Sequence, residues 1–224
     1  MYRSTRGMTA LRAAARMYAR PARSLNPFPN NKLVRHKYCD TVTIPAGTGA
    51  GVPTIYQFRA NSIYDPDYTG VGHQPLFHDE MAAQYKYYTV MSSRIKVTFP
   101  GTNAQEANYI IWVDDDSFVP MNVNDAQEQH RSSYSLHRLD RRKSPLILKA
   151  SFDAARWNKT TRSALLSDDM KKVPKGQNPD GTEVKYYQVY VAPLVGTVTM
   201  NAIPVKVELY YTCMWREPVD HTGS

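Results

Sequence analysis

The stretch VKVELYYTCMWR, Val205–Arg216, decides the fold class. Val205, Val207, Leu209, Tyr211, Cys213 and Trp215 share one parity; Lys206, Glu208, Tyr210, Thr212, Met214 and Arg216 share the other. Successive side chains of a strand point to opposite faces, so this period of two describes a half-buried antiparallel strand. Cys213 falls on the apolar parity and reads as a buried, inert thiol. Arg94–Phe99 repeats the pattern: Ile95, Val97 and Phe99 alternate with Arg94, Lys96 and Thr98.

Outward from these two segments, strands are expected at 34–44, 54–61, 86–93 running into 94–99, 108–114, 133–139, 145–152 and 184–193, which with 203–216 makes eight. Between residue 40 and the C-terminus only 77–85, FHDEMAAQY, reads as a helical turn, with Asp79 and Glu80 at its start, where carboxylates suit the macrodipole. No internal repeat and no Pro-, Gly- or Ser-rich break divides the strands. The expectation is an all-β fold, an eight-stranded jelly-roll sandwich, preceded by a basic and partly helical N-terminal arm. Sixteen Tyr and fifteen Pro against eleven Gly agree with strands and ordered loops.

The 224-residue chain carries a net charge of +8, unevenly distributed. No acidic residue precedes Asp40, whereas nine of the 28 Lys+Arg do: Arg3, Arg6, Arg12, Arg16, Arg20, Arg23, Lys32, Arg35 and Lys37. Residues 40–224 keep the other 19 basic residues against all 20 acidic ones, a net of −1. The expected organisation is therefore a basic arm and linker, 1–39, and a near-neutral body, 40–224. Residues 9–20, TALRAAARMYAR, read as a short helix stopped by Pro21, with Arg12, Arg16 and Arg20 on one face. Like charges at that spacing repel, and a polyanion laid along them relieves the cost. Three readings of the arm stand side by side: a solvated tail, a cleavable mitochondrial presequence, and a nucleic-acid-binding arm. Arg outnumbers Lys there seven to two, which suits phosphate forks and favours the third.

Other functions find little support in the residues. No apolar stretch approaches bilayer length, so no membrane insertion is expected, and no apolar signal core opens the chain. Cys39 and Cys213 lack zinc-module spacing. Asp114-Asp115-Asp116 reads as a solvated turn in preference to a divalent-cation site, and His73 and His78 as loop histidines with structural hydrogen bonds. GTGAG, residues 47–51, lacks the Lys and Ser/Thr of a phosphate loop, and no G-x-S-x-G elbow is present. Neither an enzyme nor a cofactor is expected. Two basic clusters, Arg138–Lys143 and Lys171, Lys172 with Lys175, read equally as polyanion contacts and as solvated loops.

Residues 61–99 carry a resemblance. Asn61-Ser62-Ile63, Asp65-Pro66-Asp67, Gly72-His73-Gln74-Pro75, Tyr85, Tyr87-Tyr88, Val90 and Arg94–Phe99, with the closing strand through Pro218, resemble the capsid proteins of circular Rep-encoding single-stranded DNA viruses, the circovirus-like group. The resemblance implies a jelly roll that assembles, in about 60 copies, into an icosahedral shell around circular single-stranded DNA. It implies a virion protein with an arm that meets the genome or host nuclear import machinery, and assembly in the host nucleus. It also implies that 61–85 is a rigid connector used in subunit contact, and the tyrosine content fits interfaces. The arm here departs from the group in spreading its nine cations rather than clustering them. Sixty such arms supply roughly 540 positive charges, so a genome of a few thousand nucleotides needs further cations from elsewhere. The alternatives to this reading are an imported mitochondrial β-sandwich and a monomeric nucleic-acid-binding sandwich.

Overall fold

Period-two segments separated by loops dominate the chain, and in the computed structural model they pair into two sheets. The structure describes residues 28–101, 105–117, 120, 122–129, 132–138 and 145–219. The expected helix at 9–20, with Arg3, Arg6, Arg12, Arg16, Arg20 and Arg23, lies outside the described residues, as does 139–143 of the first body cluster.

In chain order the described elements are β1 (Asn31–Ile44), β2 (Thr54–Arg59), α1 (His78–Gln84), β3 (Tyr85–Phe99), β4 (Glu106–Asp114), α2 (Val123–Glu128) and β5 (Ser133–Arg138). They continue with β6 (Leu146–Asp153), α3 (Ala154–Trp157), α4 (Arg162–Ser167), a 3-10 turn (Asp169–Lys171), β7 (Val173–Pro174), β8 (Tyr186–Pro193) and β9 (Ile203–Pro218). The first sheet runs β1-β9-β3-β6, with the two-residue β7 added against β3, and the second runs β2-β8-β4-β5. The antiparallel pairs are nested: β1 with β9, β2 with β8, β3 with β6, β4 with β5. A chain folded back on itself and then rolled produces that nesting, and it defines the jelly roll.

All eight expected strands are present. β9 buries the predicted parity, from Val205 to Trp215, and leaves Lys206, Glu208, Tyr210, Thr212 and Met214 outward. β3 is one continuous strand whose parity flips at Met91, where an irregularity between Val90 and Ser92 moves the inward set from Tyr88 and Val90 to Ser93, Ile95, Val97 and Phe99. The structure departs from expectation in three places. β1 begins at Asn31, so Lys32, Arg35 and Lys37, grouped with the arm by charge, are residues of the first sheet. Short helices α2, α3 and α4 join α1. Each is a turn or two fixed by a side-chain cap, Asn122, Asp153 or Thr161, and is too short to show a 3.6-residue period.

The third departure concerns tyrosine. Tyr38, Tyr85, Tyr88, Tyr109, Tyr187, Tyr190 and Tyr211 are buried. Six of them fill the space between the sheets; Tyr190 lies on the outward face of the second. Facing sheets stand roughly 10 Å apart, and a tyrosine spans much of that gap while its hydroxyl finds a partner at the far side. Tyr211 donates to the Arg59 carbonyl at 2.7 Å, Tyr88 to the Gln177 carbonyl at 2.8 Å, and Tyr187 shares a 2.8 Å bond with Ser93. Burial pushes the hydroxyl pKa values of all three upward, so they stay protonated. Much of the tyrosine expected at interfaces is thus core.

Candidate nucleic-acid and assembly surfaces

Three surfaces carry the exposed chemistry: the outward face of each sheet and the connector between β2 and α1. On the first sheet, register aligns the outward side chains in rows. Lys37, Tyr210, Arg94 and Ser151 form one row. Arg35, Thr212, Ser92 and Asp153 flank it on one side; Cys39, Glu208, Lys96 and Lys149 flank it on the other. Lys206 lies one row further, and Arg156 of α3 joins Arg35 and Arg94 at the rim.

Glu208 organises the middle of this face. Lys96 reaches its Oε2 at 2.8 Å and Lys37 its Oε1 at 2.9 Å. Those hydrogen bonds, Lys96 first, hold the carboxyl down at about 2, while the bond to Glu208 raises the Lys37 ammonium. Tyr210 also donates to Glu208 at 3.2 Å. Its ring takes the Arg94 guanidinium at 4.4 Å from the centroid and the Lys37 ammonium at 5.1 Å. A groove of about 560 Å³ between Arg35, Arg94, Arg156 and Tyr210 and a second of about 410 Å³ beside Lys96 and Lys149 share Arg94, Ser151 and Tyr210 as lining.

The outward face of the second sheet is of the opposite character. Ile110, Trp112, Tyr190 and Ala192 make a separate apolar cluster that α2 roofs through Ala126. β8 is consequently buried along its whole length. In the next positions across this face, Tyr134 and Leu136 of β5 stand exposed beside Ile110 and Asn108.

The connector is rigid at its base and apolar at its tip. Buried Asp67 accepts from the Tyr56 hydroxyl at 2.7 Å and from the amide and hydroxyl of Thr69 at 2.9 and 2.7 Å. Arg59 ties the same turn together through Asp65 Oδ2 at 2.8 Å and the carbonyls of Asp65 and Asp67. A Cβ at Gly72 would meet Asp67 and the Tyr38 hydroxyl at 2.8 Å, so only glycine fits that approach. Beyond it Val71, Leu76 and Phe77 are 82%, 74% and 69% exposed. Phe77 holds a left-handed φ of 66°, a conformation that costs a bulky residue of order 1–2 kcal/mol.

The two candidate histidines make the structural hydrogen bonds expected of them. His73 lies between the carbonyls of Gln74 (Nδ1, 2.7 Å) and Cys39 (Nε2, 3.1 Å). Only the imidazolium donates to both, and its pKa is raised by these bonds, Gln74 first. His78 is buried and contacts Asp79 through Nδ1 at 3.1 Å. The sequence reading passed over His36, which Trp215 Nε1 donates to at 3.0 Å and which contacts the Leu76 carbonyl at 3.3 Å. Burial keeps His36 neutral and lowers its pKa. Asp114 accepts from Trp112 Nε1 at 3.0 Å and from the amide of Asp115 at 2.8 Å, a strand-ending turn. Among the described residues no three His, Cys, Asp or Glu are grouped to hold a metal ion.

The nine basic residues proposed from sequence therefore separate. Six precede the described residues, and Arg35 and Lys37 join the first sheet's outward face. Lys32 sits at the start of β1, opposite Trp215. Lys171 pairs with Glu183, Lys172 with Asp169 and Glu217, and Lys175 donates to the Ala82 carbonyl. That cluster is knitted into the fold. Arg94, Lys96, Arg156, Lys149, Lys206 and Tyr210 were not singled out. The signal was the polar parity of Arg94–Phe99 and Val205–Arg216, but only the sheet order makes those residues neighbours.

The nested strand pairs and the two sheets make this a jelly-roll sandwich. Among solved structures, it is similar to the semi-empty virus-like particle of giant freshwater prawn Macrobrachium rosenbergii nodavirus (TM-score 0.49, 10% identity, 88% of this chain and 100% of that one). It is similar also to the 60-mer BFDV capsid protein (0.46, 13%, 88% and 100%) and to Cocksfoot mottle virus (0.47, 13%, 82% and 96%). No protein-family model and no curated protein sequence matches the chain.

Proposed function

We propose that the chain is a viral coat protein that self-assembles into a closed shell and packages single-stranded DNA, with residues 1–39 as its basic arm and linker. The observation that carries the reading is a continuity. The acid-free, +9 segment runs directly into β1, and its last cations, Arg35 and Lys37, lie on the outward face of the first sheet. A shell that turns its arms inward turns this face inward with them, towards a polyanion. The opposite sheet closes on itself beneath α2 and leaves Tyr134 and Leu136 for neighbours.

In this reading assembly and packaging are coupled by charge. The segments ahead of β1, each at +6, repel one another until phosphates neutralise them, so nucleic acid lowers the concentration at which subunits associate. The body from Asn31 onward, at +2, packs against its own copies without a comparable penalty. The connector tip at Val71, Leu76 and Phe77 presents apolar area at fixed geometry, which keeps the entropic cost of each contact low. Contacts to phosphate are independent of sequence. The role is structural and non-enzymatic, the mature location is the virion, and passage through the host nucleus follows from the DNA cargo and the basic arm.

Size-exclusion chromatography with light scattering, followed by electron microscopy of the full chain with and without single-stranded DNA, tests the proposal. Closed particles containing nuclease-protected DNA are expected. A 25.5 kDa monomer at every salt and DNA concentration would sink it and leave a monomeric nucleic-acid-binding sandwich.

A further inference from the structure

We propose that the outward face of the first sheet is itself a binding site for single-stranded nucleic acid, in which Arg35, Lys37 and Arg156 hold phosphates and the Arg94–Tyr210 pair is a platform on which a base stacks. The source of the strand rests on the coat-protein reading; the chemistry of the site does not.

Charge is the first observation. Arg35, Lys37, Arg94 and Arg156 line one groove and Arg94, Lys96 and Lys149 the next, with Lys206 one row beyond, against two carboxylates on this face, Glu208 and Asp153. Both carboxylates are already engaged. Glu208 is spanned by Lys37 and Lys96, and Asp153 caps α3 and pairs with Arg162 at 3.4 Å. Among the described residues Arg35, Arg94, Lys149 and Lys206 have no carboxylate within ion-pair distance. Four cations held on neighbouring strands without counter-charge repel one another, and a polyanion removes that repulsion.

Shape is the second. Cations at fixed positions on the strands and on α3 line two adjoining grooves, one beside Arg156 and one beside Lys149, that share Arg94 and Tyr210, so phosphates meet them without further ordering of the backbone. Arg94 lies over the Tyr210 ring, 4.4 Å from its centroid, which holds the planar guanidinium in place. A guanidinium plane backed by an aromatic ring accepts the open face of a base, and the bases of a duplex are closed to it. The platform therefore selects a single strand. The site also supplies what the arm lacks: seven cations against two carboxylates add about five positive charges per copy to the six arginines of residues 1–30.

Titration of a fluorescent oligothymidylate of about twenty nucleotides into the full chain, across a salt series, tests this. Three full-length variants are compared with the parent. One replaces Arg35, Arg94 and Arg156 with alanine, one carries Tyr210→Ser, and one replaces the six arm arginines from Arg3 to Arg23 with alanine. Losing Arg35 and Arg156, the two of these that hold phosphates, should flatten the plot of log K against log salt by about 1.4, since each neutralised phosphate of a single strand contributes about 0.7. Tyr210→Ser should weaken binding about five- to a hundredfold with the slope unchanged, because it removes stacking and no charge. The arm variant should retain weaker binding that depends on Arg94. All substituted sheet positions are at the surface, and matching thermal melts confirm the fold. Unchanged affinity and slope in the first two variants would overturn the site, even if particles form. If these effects appear and no particle assembles, the site stands and the coat-protein reading fails.

Discussion

The two sheets share one core and face opposite worlds. The first sheet sets apolar side chains inward and cations outward, strand after strand. In the second, β8 and the middle of β4 are buried on both faces, inward by the sandwich and outward by α2. A half-wet sheet writes its alternation into the sequence, and a sheet covered on both sides erases it. β9 shows the first case, with buried and less buried residues in turn; β8 shows the second, with all eight residues buried. The same difference separates roles: the wet face is free to bind a polyanion, and the dry one holds shape.

One substitution made on each face should expose the contrast most strongly. Tyr190→Thr hollows the apolar cluster under α2 and should cost about 3–5 kcal/mol in urea unfolding, whereas Tyr210→Thr should cost less than about 1 kcal/mol. Equal losses would mean that the two faces are not packed differently. A smaller pair sharpens the account of the shared interior. Tyr211→Phe leaves the Arg59 carbonyl without its donor and should destabilise by about 1–2 kcal/mol. Tyr109→Phe removes a buried hydroxyl that has no partner among the described residues, so it should be neutral or slightly stabilising by the same measurement.

The connector tip separates subunit stability from association. Phe77→Asn relieves the left-handed strain and should leave the subunit as stable or up to about 1 kcal/mol more so. It should nevertheless raise the protein concentration needed for assembly, as read by light scattering. Unchanged assembly would show that the tip is not a contact.

The smallest effects are those of pH. His36 is held neutral with its pKa lowered, so the stability it contributes is full above the ordinary histidine value of about 6.5 and declines as pH falls towards its folded value. His73 is raised and acts in reverse: its contribution is full below about 6.5 and declines as pH rises through its folded value. His36→Gln should therefore flatten the acid side of a stability–pH curve, and His73→Gln the side above about 6.5. A parent curve with no dependence on either residue would contradict these environments.

The fold was legible where one face is wet. Val205–Arg216 and Arg94–Phe99 announced themselves through parity, and even the flip at Met91 fell inside a segment read as two runs meeting. The short helices were not legible, because one turn held by Asn122, Asp153 or Thr161 leaves no period to detect. Tyrosine content misled: a residue that suits interfaces also spans the gap between two sheets, and sequence does not say which. The charge asymmetry pointed to a polyanion and to the arm. It placed the boundary at Asp40, the first acidic residue, although pairing with β9 already begins at Asn31. The basic face stayed hidden because its cations come from β1, β3, β6, β9 and α3, which sheet order alone assembles.

The most direct measurement is a cryo-electron-microscopy reconstruction of particles assembled with single-stranded DNA. The account predicts the first sheet on the luminal side, with density for the packaged strand against Arg94 and Tyr210. A shell that turns this face to the outside, with the roof of α2 towards the lumen, would contradict it.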